Sequence, residues 1–267
     1  MRLFISSDIE GVTGIVNWDE TDYDRGGRWY DYFRAQMTRE VAAACMGAKE
    51  GGAELIRVKD AHDSARNIIP AELPEGVVIQ RGWSGNPFCM VDGLDEGFDA
   101  LAFTGYHSPS HSNGNPLAHS MSASIDEITI NGQRASEFMI HGYVAAMLKI
   151  PVIFISGDAA LCESAKAFVP GITVVAVNTG KGASSASLHP ADGARLIREG
   201  MKSAVEKGGK DCLIGLPEHF TTTIKYPSHT KAYKYSFYPG AGLINEKTVR
   251  FESDDYMDIL RFYHFVL

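Results

Sequence analysis

Short apolar runs of strand length recur along the first two thirds of the chain, separated by polar turns and by stretches with helical spacing. Residues 2–7 (RLFISS), 54–59 (ELIRVK), 99–104 (DALAFT) and 151–156 (PVIFIS) read as buried strands, with shorter ones at 76–80 and 172–177. Residues 29–49 carry Ala, Met and other apolar side chains at helical spacing and stop at Gly51-Gly52, a good helix end. Helices are also expected at 136–148, 159–168 and 191–207. Residues 125–130 and 133–136 flank Asn131-Gly132, a strong hairpin signal. This alternation predicts an α/β fold, a mostly parallel sheet flanked by helices. The pattern changes toward the end. Segments 220–226, 230–237 and 248–251 alternate like strands, and a last helix is expected at 254–264. They predict a smaller α+β C-terminal portion. The chain then divides into residues 1–207, an α/β unit, and 208–267, an appendage, with the junction in the KGGKDCLIGLPEH stretch.

Several of the predicted strands stop on an acid or an imidazole. Asp8 and Glu10 follow the first strand, Asp60 and His62 the second, and His107 the third. Glu137 opens the helix after the hairpin, and His119 lies in the loop before it. Carboxyl ends of parallel strands share one edge of an open sheet, so these residues are expected to converge. Asp, Glu and His together suit a hard-to-borderline divalent ion, zinc first. More than four candidate ligands favour two ions over one. If extended geometry persists to Glu10, both early carboxylates share a face, one bridging two ions and one holding a single ion.

Each group also has a plainer reading. Asp8 and Glu10 fit a water-facing acidic loop equally well. Asp60-Ala61-His62 fits a cap, with Asp60 alternatively orienting His62. His107 fits a histidine satisfied by the main chain. Glu137 is favoured by the helix dipole. His141, one turn after Glu137, shares its helix face but sits in a packed-looking segment. His119 is displaced from the strand-end pattern, which suits a base or proton shuttle better than a ligand.

Bulk properties narrow the function classes. A net charge of −8 with no basic cluster speaks against nucleic acid and anionic membranes as partners. No apolar run spans a bilayer and no leader segment is visible at the start. Cys45, Cys89, Cys162 and Cys212 are scattered without CxxC spacing, so free thiols and a cytoplasmic location are expected. GxSxG, HExxH and GxxxxGK[ST] motifs are absent. TGKGASS at 179–185 is a weaker signal for a carboxylate-binding loop using Lys181.

Taken in order, SSDIEGVTG, KDAHDS, the GYHS of residues 105–108, LAHSMS and the ASEFMIHGYVAA around Glu137 resemble the D-aminopeptidases of the DppA type, peptidase family M55. The match covers residues 1–160, and PGAGLINEKTVRFES resembles the family's C-terminal region, whereas the chain otherwise departs from the pattern after residue 178. The resemblance implies two zinc ions per subunit, bound by Asp8, Glu10, His62, His107 and Glu137. It implies that His119 is the catalytic nucleophile or base. Since metal-activated water makes direct attack by a side chain unnecessary, the base or shuttle role is preferred. The implied activity is removal of the N-terminal residue from short peptides or amides containing D-amino acids. The implied assembly is a homo-oligomer, a ring-shaped decamer with sites facing an internal chamber, in which 208–267 complete the subunit and its oligomer contacts. Two other readings use the same ligands. A two-metal phosphoesterase would want nearby cations, for which Lys59 and Arg66 are the candidates. A non-catalytic metal- or peptide-binding protein would need no base.

Overall fold

The structure, a computed structural model, describes the chain from Met1 to Leu267 apart from Gly26. The strands in chain order are β1 (Arg2–Ser7), β2 (Leu55–Asp60), β3 (Val77–Gln80), β4 (Ala100–Tyr106), β5 (Glu127–Ile130), β6 (Gln133–Arg134), β7 (Val152–Asp158), β8 (Thr173–Lys181), β9 (Ser184–Ser187), β10 (Phe220–Lys225), β11 (Gly242–Asn245) and β12 (Thr248–Ser253). The main helices are α1 (Arg28–Glu50), α2 (Glu137–Met147), α3 (Ala159–Phe168), α4 (Pro190–Lys207), α5 (His229–Tyr235) and α6 (Tyr256–Val266).

Seven strands form the principal sheet in the order β3-β2-β1-β4-β7-β8-β9, parallel throughout except for the β8–β9 hairpin at one edge. Its central strands β1, β4 and β7 are almost wholly buried, as their unbroken apolar runs require when both faces are covered. Phe154 on β7 faces Gly200 of α4. Phe103 on β4 is paired with Ile155 and so points to the other face, where its ring meets Phe138 of α2 at 5.3 Å. Helices therefore cover both sides. No helix among the described residues is long and apolar enough to cross a membrane, and all four thiols are free.

A second, antiparallel sheet runs β11-β12-β10-β5-β6. The C-terminal residues supply three of these strands and the β5–β6 hairpin the other two. The Asn131-Gly132 turn has φ of 49° and 78°, the left-handed backbone that a tight hairpin demands.

Two local expectations are corrected, and one strand was not anticipated. Residues 230–237 are not a strand: α5 begins there, with the Ser228 side chain accepting from Thr230 N–H as its cap. Alternating Tyr233, Tyr235 and Phe237 imitate a strand, but the buried anchor is Ala232. The exposed edge strand β11 has no buried face and so no alternation to read. Finally, 179–185 belong to the β8–β9 hairpin, and Gly180 N–H and Gly182 N–H are spent on Gly114 O and Asn113 Oδ1. Those two N–H groups are therefore not available to cradle an anion.

Candidate metal centre

Strand register explains why distant residues meet. Ser7 at the end of β1 pairs with Asp60 on β2 and with Thr104 on β4. Asp8 therefore leaves the sheet level with the first residues beyond β2, and its N–H still donates to Thr104 O at 2.9 Å. The chain passes from β1 to β2 and β3 on one side, then crosses to β4 on the other. The β1/β4 gap is thus the switch point at which open α/β sheets form their clefts. Two glycines let the loops close over it. Gly105 has φ +69° and lies where a Cβ would stand 2.2 Å from Asp8 O. A Cβ on Gly11 would meet Tyr106 O at 1.9 Å, because Gly11 N–H donates to Gly105 O at 2.8 Å.

The six expected residues come together. His62 Nδ1 is 3.3 Å from Asp8 Oδ1 and 3.2 Å from Glu10 Oε2. His107 Nε2 is 3.6 Å from Asp8 Oδ2 and 3.5 Å from Glu137 Oε2. His119 Nε2 is 3.6 Å from Glu137 Oε1, and its ring stacks on His107 at 4.4 Å with planes 17° apart. Two donor triads result, Asp8–Glu10–His62 and Asp8–His107–Glu137, sharing Asp8; Glu10, His107 and His119 form a third grouping. Glu137 occupies the first turn of α2, capped by Ser136, and its Oε1 accepts from Met121 N–H at 2.7 Å.

One geometric detail differs from expectation. Extended backbone ends at Ser7, and Glu10 reaches the cluster through a turn closed by Val12 N–H on Ile9 O. The carboxylates converge by that turn, not by strand alternation.

Each imidazole is held from behind by a backbone carbonyl: His62 Nε2 by Thr21 O at 2.9 Å, His107 Nδ1 by Ser108 O at 2.9 Å, His119 Nδ1 by Leu117 O at 3.0 Å. A carbonyl only accepts, so those nitrogens carry the protons. The opposite nitrogens then present lone pairs to carboxylates, which is repulsive unless a cation or proton intervenes. Asp8 Oδ2, both Glu10 carboxylate oxygens and His107 Nε2 are buried with no hydrogen-bond partner. A tetrahedral ion with bonds of about 2.0–2.2 Å has ligand-to-ligand edges of about 3.3–3.6 Å. The observed N···O spacings of 3.2–3.6 Å match that edge, so the donor set fits a divalent ion.

The electrostatics agree. Burial, then the Glu10 charge, raises the Asp8 carboxyl well above its usual range. Burial works against the Glu10 and Glu137 charges too, yet His62 holds Glu10 well below its normal value and His107 holds Glu137 down at about 2. Burial likewise disfavours charged His62 and His107, but Glu10 and Glu137 respectively raise both well above the usual imidazole value. Without an ion the cluster retains protons in its place, so metal binding must release protons.

Asp60 does not orient the His62 ring. Its oxygens accept from Asn67 N–H, Asn67 Nδ2 and Ile68 N–H, and Asn67 Nδ2 also donates to His62 O at 2.8 Å. Asp60 thus fixes the loop through Asn67. Nothing in the sequence singled out Asn67, an isolated amide whose role depends on a loop closing back on β2. Trp18 was missed as well: its ring meets His119 edge-on at 5.3 Å, placed by a turn whose Asn17 and Glu20 cap each other, an N-x-x-E signature readable in sequence. His141 is a packing residue, with Nδ1–H donated to Glu137 O and burial pushing its pKa down to about 4. Lys59 is buried, donating to Gly82 O and lying over the Trp83 ring, so it cannot serve a phosphate at this centre.

Fold and site define an α/β protein with a buried carboxylate–imidazole centre suited to divalent cations. The chain belongs to the D-aminopeptidase family, peptidase M55, which it matches over residues 1–265. It is 30% identical over 263 residues to the D-aminopeptidase of Bacillus subtilis (strain 168), covering 97% of this chain and 93% of that protein. It is also similar to the solved structure of the Zn-dependent D-aminopeptidase DppA from Bacillus subtilis, described as a self-compartmentalizing protease. That likeness has a TM-score of 0.91 at 26% identity and covers 98% of this chain and 95% of the other.

Proposed function

We propose that this protein is a dinuclear zinc aminopeptidase that removes the N-terminal residue of short peptides, with D-amino-acid peptides as its preferred substrates. The carrying observation is the pair of donor triads that share Asp8. The Zn-dependent neighbour and the relative named D-aminopeptidase support the metal and the substrate class. Zinc ions held there would polarise the scissile carbonyl and bring the pKa of water down to about 7.

The chain's own residues divide the remaining work. Asp8 turns one oxygen toward His62 and the other toward His107, so it serves both positions. Glu10 and His62 complete one position, His107 and Glu137 the other. Three protein donors at each leave room for substrate and water. His119, tied at Nδ1 to Leu117 O, turns a free Nε2 into the site. There it accepts the proton of the attacking water and delivers it to the leaving amine. Trp18 shields one edge of that ring.

In this reading residues 1–207 carry the chemistry and 208–267 complete the subunit and its contacts with further copies. Tyr233, Phe237, Leu243, Ile244 and Phe265 are large exposed apolar side chains in that second portion. A homo-oligomer, a decamer as the family resemblance implies, fits the neighbour's self-compartmentalizing character. Free thiols fit a cytoplasmic setting.

The test is hydrolysis of D- and L-alanine anilides, glycyl peptides and p-nitrophenyl phosphate, with and without chelator. Chelator-sensitive amine release is expected, with the D-anilide favoured and no phosphate released. Phosphate release, or no chelator-sensitive release at all, contradicts the proposal.

A further inference from the structure

We infer that the cleft beside the metal centre is a carboxylate subsite, which selects short peptides bearing a carboxylate just beyond the scissile bond. This rests on the aminopeptidase reading and sharpens its substrate. The cleft has a volume of about 400 Å3, and its charged lining is Arg34, Arg66 and Arg81 with Asp24 and Asp63, beside Tyr23 and Tyr30. Asp63 also lines the cavity of about 230 Å3 into which Glu10, His62 and His119 open. The two spaces thus meet at the residue that follows His62.

The balance of charge shifts across that junction. On the metal side stand Asp22 and Asp63, and the one arginine there, Arg25, is engaged by Asp22 at 3.0 Å. On the far side three guanidinium groups outnumber two carboxylates, Asp24 and Asp63. Among the described residues no carboxylate lies within 4.0 Å of Arg34, Arg66 or Arg81. Asp24 and Asp63 share the cleft without pairing with these three side chains, which leaves the arginines able to take an anionic occupant.

Two of the arginines are also prepositioned. Arg34 Nε donates to Asn67 O at 2.8 Å and Arg81 Nη2 to Arg66 O at 3.2 Å, which fixes both while leaving other N–H groups free. The loop carrying Arg66 is anchored to the metal centre. Tyr30 OH donates to Asn67 Oδ1, and Asn67 Nδ2 donates to His62 O, each at 2.8 Å. Asp63 and Ala65 hold φ of 44° and 53°, strained for residues with a Cβ, as at other ligand-binding loops. Arginine forks grip carboxylates with two parallel hydrogen bonds.

Reach sets the length preference. An extended residue spans about 3.3–3.6 Å, and the cleft adjoins the metal-side cavity at Asp63, so the subsite favours a carboxylate within one or two residues of the scissile bond. The α-carboxylate of a di- or tripeptide meets this requirement, and so does an Asp or Glu side chain after the scissile bond. A zwitterionic dipeptide matches the polarity of the two spaces, cationic amine on the acidic side and carboxylate among the arginines.

The experiment compares kcat/KM of the wild-type enzyme for alanyl-alanine, its C-terminal amide and the amide of alanyl-glutamate, in D and L series, with alanine anilide alongside. The free dipeptide is expected to exceed its amide by about tenfold or more, mostly through KM. In Arg66→Ala/Arg81→Ala that ratio falls to about one, and in Arg66→Glu the amide is preferred. A good glutamate amide identifies a side-chain carboxylate as an equal occupant, and a poor one identifies the chain terminus; both support the subsite. Equal wild-type values for acid and amide overturn it, and anilide cleavage then shows that the aminopeptidase reading survives. Failure to cleave any of these compounds overturns that reading and the subsite with it.

Discussion

Asp8→Asn is expected to lose both ions and at least about a thousandfold in kcat/KM. Asp8 is the one residue in both triads built on the sheet edge, with Oδ1 toward His62 and Oδ2 toward His107. Removing a partner merely behind a metal ligand costs about 10–100-fold in affinity or activity. A ligand shared by two positions must cost more. Asparagine keeps the side chain's shape and the N–H bond to Thr104 O, so the fold is expected to persist, read by an intact cooperative melting transition. Glu10→Gln makes the comparison, since Glu10 stands in only one of the two triads that share Asp8. It should lose one ion and keep the other. Elemental analysis after dialysis against a zinc buffer reads both variants, and an Asp8→Asn protein that retains two zincs contradicts the bridging role.

His119→Ala is expected to retain both ions while kcat falls about 10²–10⁴-fold, the usual contribution of a positioned acid–base group. His119 could in principle compete as a ligand, since it groups with Glu10 and His107 within ligand distance. Two observations favour the proton-transfer role. Its ring is partly open to the cavity, unlike buried His62 and His107. The two triads sharing Asp8 already supply three donors each without it. The stack on His107 and the carbonyl at Leu117 hold the ring but leave Nε2 free to exchange a proton. Metal content and kcat separate the roles. A variant with depleted zinc makes His119 a ligand and removes it as the base.

The candidate site was unusually legible because its residues follow apolar runs on adjacent parallel strands. Once Ser7, Asp60 and Thr104 share a register, Asp8, His62 and His107 have little choice but to meet. What stayed hidden depends on loops folding back. Glu10 arrives by a turn, Asn67 works through a loop returning to β2, and Trp18 acts from a short turn against His119. The arginine cleft draws from α1, the loop after β2 and the end of β3, a combination with no sequence period. The principal sheet was readable for the same reason as the site, since buried parallel strands announce themselves as continuous apolar runs. The second sheet was less so: β11 is exposed throughout, and α5 carries aromatics at alternating positions, Tyr233 exposed and Tyr235 packed against the core. Pairing of β5 with β10 joins residues nearly a hundred positions apart, which local pattern cannot show.

The account turns on whether one carboxylate holds two cations between three strand ends and a helix N-terminus. Anomalous diffraction at the zinc absorption edge, from crystals grown with zinc, addresses this directly. Two peaks are predicted about 3.5–4 Å apart. One should lie about 2.0–2.2 Å from donor atoms of Asp8, Glu10 and His62, the other at like distances from Asp8, His107 and Glu137. A single peak, or two peaks that do not share Asp8, contradicts it.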